Sequence, residues 1–154
     1  MKLGIKKVHE NEWLIHIGYA SIKMDRFSVE LLNITLEHLI ALEHGQSHSI
    51  LNSYIQLSLK IKELAPAGVQ MLVRAIDNQD LLKLVQVADD AVLTEMIIEN
   101  VGSILAKQLT SDLEKSIMPT EPDAKAAIKR VVEKLFELES QGKIEFMDEM
   151  THYI

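Results

Sequence analysis

The spacing of the apolar residues changes once along the chain, and that change constrains the fold more than any other feature of the sequence. Up to residue 24 apolar and polar residues alternate, most clearly around Ala20, Ile22 and Met24. A period of two is typical of a strand with one buried face. After residue 28 the apolar residues recur every three or four positions, as in amphipathic helices. The sequence therefore predicts an α+β fold that is mostly α.

The first 24 residues predict a small antiparallel β-meander of two or three strands. We place one strand at residues 5–9, a turn at 10–12, and further strand at 13–24 with a bend at Gly18. A sheet this small is marginally stable by itself. We therefore expect it to pack against the helices that follow or to pair with a second copy of the chain.

Two helices are predicted next, at residues 28–43 and 47–64, with Gly45 between them. Ser28 is the predicted N-cap of the first helix. That helix is apolar around most of its circumference, which is typical of a helix buried on most sides. We expect the two helices to form an antiparallel pair that covers the sheet.

The rest of the chain predicts a stack of shorter helices. Pro66 suits a helix start, and Thr120 and Asp123 have the spacing of a capping box. Gly142 is the expected C-terminal cap of the last helix. The predicted helices span residues 68–76, 79–88, 91–101 and 103–116, followed by a last helix that runs to residue 141. We therefore predict two domains: a β-meander plus two helices at residues 1–64, and a helical domain with a C-terminal tail at 65–154.

The charge of the chain is acidic and unevenly distributed. The whole sequence has 16 Lys+Arg and 23 Asp+Glu, a formal charge of −7. Residues 1–64 hold seven of each, whereas residues 65–154 hold nine basic and sixteen acidic residues. Binding to nucleic acid needs Lys and Arg to neutralise phosphates. The balance argues against a nucleic-acid partner, and the asymmetry favours two modules with different surfaces.

The chain contains no cysteine, which excludes disulfides, thiolate metal sites and a cysteine nucleophile. It also lacks a run of ~20 apolar residues of the length that crosses a bilayer. Its basic first residues are not followed by the apolar segment of a signal peptide. These features predict a cytoplasmic protein with no membrane insertion.

The densest group of potential metal ligands lies around the end of the first predicted helix. It consists of three histidines and two glutamates: His38, His44, His48, Glu37 and Glu43. His44 and His48 have the i, i+4 spacing of a helical metal site, but Gly45 breaks the helix between them. We favour solvated or helix-capping roles for these histidines. A metal site and a protonation switch are the alternatives.

No motif of the sequence predicts catalysis. The six glycines are scattered singly, so no phosphate-binding loop is present, and no serine lies in a Gly-x-Ser-x-Gly elbow. Paired carboxylates such as Asp89 and Asp90 fall at predicted helix starts, where a solvated role is expected. We predict a protein that is not an enzyme, with no catalytic residues, no cofactor and no bound metal.

Four stretches of the second half occur together, in the same order, in one known family. They are the helix and Asp turn at residues 69–81, the helix start at 100–102, the Leu-x-x-Asp-Leu segment within 108–114, and the Leu-Glu-x-x-Gly-x-Ile end of 134–144. Residues 64–146 thus resemble the C-terminal helical domain of the flagellar motor switch protein FliG. Residues 1–64 resemble no FliG domain that we can place.

The resemblance also implies an interface that this sequence changes. FliG proteins contact the stator through a Lys in one helix and an Arg and an Asp pair in the next. The Lys position falls on Gln86 and the Arg position on Ile104. The Asp pair falls on Ser111 and Asp112. One charge of the four is retained, so an interface steered by complementary charges would lose most of its electrostatic term.

These observations favour a non-enzymatic protein–protein interaction or scaffold module. The resemblance links it to flagellar or other membrane-associated bacterial machinery. The alternative is a small-molecule- or metal-responsive regulatory protein that uses the histidine-rich first half. We also expect a homodimer formed through the sheet. The predicted partner-binding residues are Trp13, Ile22, Gln86, Asp112, Phe146 and Met150.

Overall fold

A computed structural model describes residues 1–42 and 49–147 of the chain. The chain divides into two compact units, Met1–Ser49 and Ile50–Ile154, which we call the N-terminal and C-terminal units. The described residues form a three-stranded antiparallel meander followed by seven α-helices. The predicted α+β, mostly α, fold is therefore confirmed.

The sheet of the N-terminal unit is the predicted meander, with three strands in the order β1-β2-β3. The strands are β1 (Leu3–His9), β2 (Glu12–Ile17) and β3 (Ala20–Met24). Gly18 lies in the turn between β2 and β3 with φ of 62°, a left-handed conformation that glycine adopts without steric cost. Its N–H donates to the carbonyl of Lys2 at 2.7 Å, which ties this turn to the start of β1.

Helix α1 (Arg26–Ala41) begins immediately after the sheet and packs on β2 and β3. The prediction of Ser28 as its N-cap is wrong, because the helix starts earlier. Asp25 is the cap, and its carboxylate accepts a hydrogen bond from the Ser28 backbone N–H at 2.8 Å. Asp25 has the extended backbone of an N-cap, so the chain passes from strand to helix within two residues.

The C-terminal unit is helical throughout its described regular elements. These elements are α2 (Ile50–Ser58), a 3₁₀ helix (Leu59–Glu63), α3 (Pro66–Ala75), α4 (Asn78–Ala88), α5 (Ala91–Asn100), α6 (Ser103–Lys115) and α7 (Glu121–Ser140). Helix α2 packs along α7, so by its internal contacts this unit starts at Ile50. The division into residues 1–64 and 65–154 and the pairing of the first two helices stay predictions.

Helix α7 forms the centre of this unit and packs against α2, α3 and α4. Its apolar residues follow the three- and four-residue spacing that places them on one side of a helix. The fully buried members are Ala124, Ala127, Ile128, Val131, Val132, Leu135, Phe136 and Leu138. The residues that recur every three or four positions in this part of the sequence are thus the residues that form the core.

The end of α7 turns back on the unit as predicted. Gly142 has φ of 70°, and the Lys143 N–H donates to the Leu138 carbonyl at 3.0 Å, which is the Schellman type of C-cap. Phe146 then forms an isolated antiparallel bridge with Leu64. The Met147 N–H donates to the carbonyl of Glu63 at 2.7 Å, so the chain after α7 is held against the 3₁₀ helix.

Candidate protein-interaction surfaces

The strand register places most apolar residues of the meander on one face. Ile5, Ile15 and Ile22 are paired across the three strands, so their side chains project to the same side. The apolar residues of this face, which we call the apolar sheet face, are Leu3, Ile5, Trp13, Ile15, Ile17, Ala20, Ile22 and Met24, and Lys7 lies at its edge opposite Trp13. The opposite face is mainly polar: Leu14 lies there between Lys6 and Lys23, and Lys23 forms an ion pair with Glu12 at 3.1 Å.

Most of the apolar sheet face is open. Ile15 at its centre is buried, with 3% of its surface exposed. Around it, Leu3 is 68% exposed, Ile5 63% and Ile22 49%. Trp13 is half-buried, and the Lys7 ammonium lies 5.4 Å from its ring centroid in a cation–π contact. Of the two residues predicted in the sheet for partner binding, Ile22 is thus exposed and Trp13 is partly covered.

Helix α1 also exposes apolar side chains. Leu36, Leu39 and Ile40 are 48%, 50% and 85% exposed. They lie three and four residues apart and therefore share a side of the helix, which we call the α1 stripe. We expected this helix to be buried on most sides, yet none of residues 26–40 is fully buried.

The positions that the family resemblance equates with the FliG charges lie on α4 and α6. Ile104 and Ser111 are separated by seven residues, two turns of α6, and so share a face of it. Ile104 is 84% exposed, whereas Ser111 and Asp112 are half-buried. Asp112 also accepts, through its backbone carbonyl, a 2.7 Å hydrogen bond from the Ser116 N–H that ends α6. The position of this face that the resemblance equates with the family Arg is therefore an exposed apolar residue, with the exposed Lys107 one turn further along α6.

A groove of about 840 Å³ lies between the end of α4, α5 and the end of α6. Gln86 lines it, which brings this predicted residue together with side chains that the sequence did not single out. The most prominent of them are Glu95 and Glu99, both exposed on α5 and four residues apart. Their i, i+4 spacing after the Asp89-Asp90 turn was the signal for them in the sequence.

The start of α5 anchors one edge of this groove. The Asp90 side chain accepts from the Leu93 N–H at 2.9 Å as the N-cap. Lys62 of the 3₁₀ helix donates to the same carboxylate at 2.9 Å. The hydrogen bond from Lys62, and next the one from the Leu93 backbone, lowers the pKa of Asp90 below its ordinary value. Asp90 is thus an ionised structural residue that fixes the groove edge.

A second carboxylate is buried between α4 and α7. Asp80 is 7% exposed, and its two oxygens accept from Nε and Nη2 of Arg130 at 2.8 and 2.7 Å. This bidentate contact raises the pKa of Arg130 above its ordinary value, chiefly through the hydrogen bond to Asp80. The pair joins residues 50 positions apart and clamps the two helices, so its evident role is structural.

Phe146, the predicted partner-binding residue after α7, contacts its own unit. Its ring centroid lies 5.7 Å from that of Phe136, and the Lys60 ammonium lies 5.2 Å from the ring. Together with the bridge to Leu64, these contacts give Phe146 a structural role, because they hold the chain after α7 against its own unit. Met150 lies outside the described residues.

The histidine-rich segment is described only in part. Glu37 and His38 lie on α1, and Glu37 accepts a hydrogen bond from the Asn33 amide at 3.3 Å. Glu43, His44 and His48 lie outside the described residues. Within residues 1–42 and 49–147, no group of three or more potential metal ligands is clustered.

Over the same two ranges, every helix is too short or too polar to span a bilayer.

Comparison with known proteins adds one finding. The family model of the FliG C-terminal domain matches residues 57–146. This segment starts near the end of α2 and ends at the bridge between Phe146 and Leu64. A search of the curated proteins returns no significant match. The match includes α4, α5 and α6, and therefore both the groove and the exposed face of α6.

Proposed function

Because the chain belongs to the FliG C-terminal domain family, we propose that it is a non-enzymatic protein-interaction module of a flagellar or other membrane-associated assembly. The match over residues 57–146 is the observation that carries this proposal. The chemistry of the described carboxylates agrees with it. Asp90 and Glu137 have lowered pKa values because lysines donate to them, whereas a general acid needs a raised pKa.

The face that FliG proteins turn toward the stator takes a different kind of partner here. Gln86, Ile104 and Ser111 replace three of the four family charges, and Ile104 is the most exposed of them at 84%. Complementary charges steer association and suppress wrong partners. Without them, the steering by those charges is lost, and the protein does not act as the rotor component that meets a charged stator.

Swimming provides the test of this functional assignment. The test strain lacks its own FliG. It expresses instead a chimaeric FliG in which residues 57–146 of this chain replace the matching domain. We expect cells carrying this chimaera to be non-motile, because three of the four stator-facing charges are missing. The matched variant with Gln86→Lys, Ile104→Arg and Ser111→Asp should recover part of the swimming. Full swimming by the unmodified chimaera would contradict the assignment.

The N-terminal unit provides a second interaction, which we propose is self-association through the apolar sheet face and the α1 stripe. These surfaces expose seven large apolar side chains at 40% or more: Leu3, Ile5, Ile17, Ile22, Leu36, Leu39 and Ile40. Each of the two surfaces groups its exposed apolar side chains on one side of its element, and patches of this kind mark interaction sites. Residues 1–49 carry five basic and six acidic residues, so this unit itself adds little repulsion between two copies.

The free energy available from burying these side chains suits a reversible dimer. Burying a half-exposed Leu or Ile contributes about 1 kcal/mol, because full burial contributes about 1.5–3 kcal/mol. Two copies bring seven such side chains each, against an association cost of about 4–15 kcal/mol. A two-fold arrangement uses the same patch twice and closes on itself. We therefore expect a reversible two-fold dimer.

A further inference from the structure

We infer that the groove between α4, α5 and α6 binds an amphipathic helix with a cationic rim on its partner protein. The inference extends the proposed interaction role by naming the chemistry of one partner. It does not depend on self-association, because every residue of the groove belongs to the C-terminal unit. Of the three neutral positions that replace family charges, Gln86 lines the groove, whereas Ile104 and Ser111 on the exposed face of α6 do not.

The floor of the groove is apolar. Val85 of α4, Ile98 of α5 and Leu113 of α6 line it, and Met118 lies at its rim with 61% of its surface exposed. The lining residues of α5 run from Ala91 to Glu99, which is about 12 Å at 1.5 Å per residue. That length matches two turns of a docked helix, whose anchors recur at i, i+3, i+4 and i+7.

The rim of the groove is acidic. Its lining contains the four carboxylates Asp89, Asp90, Glu95 and Glu99 and no basic side chain. Asp90 is neutralised by Lys62 at 2.9 Å. The other three form no salt bridge with any residue in the described part of the chain. They leave an uncompensated negative potential over an apolar floor, and a partner with Lys or Arg beside an apolar stripe complements both properties.

The spacing of the rim charges supports a helical partner further. Glu95 and Glu99 are like charges at i, i+4 on α5, an arrangement that slightly destabilises an isolated helix. A partner cation placed between them relieves that repulsion. Lysines or arginines on one side of a docked helix recur at the same spacing, so consecutive turns of the partner meet consecutive turns of α5.

The experiment measures binding of a defined probe to the full chain. The probe is an 18-residue fluorescein-labelled peptide with leucines at i, i+3, i+4 and i+7 and lysines flanking that stripe. Its partner probe has glutamate at each lysine position. At low salt, fluorescence anisotropy should show saturable binding of the cationic peptide only, weakening as salt screens the rim charges. Backbone amide NMR signals of residues 91–99 should shift on binding.

Two protein variants with the same change in net charge locate the site. Glu95→Lys with Glu99→Lys should raise the dissociation constant at least about tenfold by reversing the rim. Glu114→Lys with Glu145→Lys, both exposed and outside the groove, should change it less than about twofold. Met118→Ser should weaken binding several-fold by removing apolar rim surface.

Three results would overturn the inference: no saturable binding of the cationic peptide, equal binding of the anionic peptide, or equal weakening by the two double variants. None of them touches self-association, which is measured without peptide. Loss of dimer formation with intact peptide binding would instead contradict the proposal for the N-terminal unit.

Discussion

The two units of this chain bury their apolar residues to very different extents. Of the 24 buried apolar residues in the described part of the chain, only Ile15 lies in the N-terminal unit. The C-terminal unit encloses the faces of its helices around α7, whereas the N-terminal unit leaves one face of its sheet and one side of α1 exposed. A core needs a second layer, and a three-stranded sheet with one helix supplies it only in part. The C-terminal unit is thus closed around its core, whereas the N-terminal unit leaves exposed the apolar surfaces that we propose for self-association.

The largest effect that distinguishes the units is expected from loss of core volume. Leu135→Ala should lower the free energy of unfolding by about 2–5 kcal/mol, because Leu135 is fully buried and its removal leaves a cavity. Ile40→Ala, at a position 85% exposed, should stay within about 0.5 kcal/mol when measured on dilute monomer. Urea unfolding of both variants checks this. Equal losses would show that the two units are packed alike.

The next effect concerns the exposed sheet. Ile22→Lys should raise the dimer dissociation constant at least about tenfold, because a two-fold interface would bury the introduced charge twice. Val92→Lys is the matched control, since it places the same charge on a 57% exposed apolar residue of the C-terminal unit. Light scattering over a concentration series measures both. The same weakening in both variants would mean that added charge, rather than the sheet, controls association.

A smaller effect on thermal stability is expected from the Asp80–Arg130 ion pair of the C-terminal unit. Arg130→Met keeps the aliphatic stem but leaves the buried Asp80 carboxylate without its bidentate partner. The midpoint of thermal unfolding at pH 7 should fall. Lys129→Met, which removes an exposed 3.7 Å pair with Glu133, should leave that midpoint almost unchanged. If Arg130→Met and Lys129→Met lowered the midpoint equally, the buried Asp80–Arg130 pair would contribute no more to stability than an exposed ion pair.

The helix boundaries of the C-terminal unit are the part of the fold that the sequence could predict. Helices α3 to α7 begin and end within about two residues of their predicted positions because caps and apolar period coincide there. Asp90, Thr120 and Gly142 all act as local signals, and each forms the expected hydrogen-bonded or left-handed cap. Such features depend only on neighbouring residues, so they are visible in the chain itself.

Pairings between distant elements could not be predicted in this way. The apolar stripe of α2 would fit any apolar surface, and within its unit it packs along α7. The Asp80–Arg130 pair spans 50 residues, and the groove forms only when α4, α5 and α6 are placed side by side. The family resemblance identified positions 86, 104 and 111 as places where a neutral residue replaces a charged one. The structure added that Ile104 is 84% exposed.

Sedimentation equilibrium of the unmodified full chain tests the central claim most directly. If the exposed faces of the N-terminal unit pair with a second copy, the average mass should rise from 17.4 kDa toward twice that value across the micromolar range. The rise should persist at high salt, because burial of apolar surface is not screened. A mass that stays at that of the monomer up to high micromolar concentration would contradict self-association and the role that we propose for the exposed apolar surfaces of the N-terminal unit.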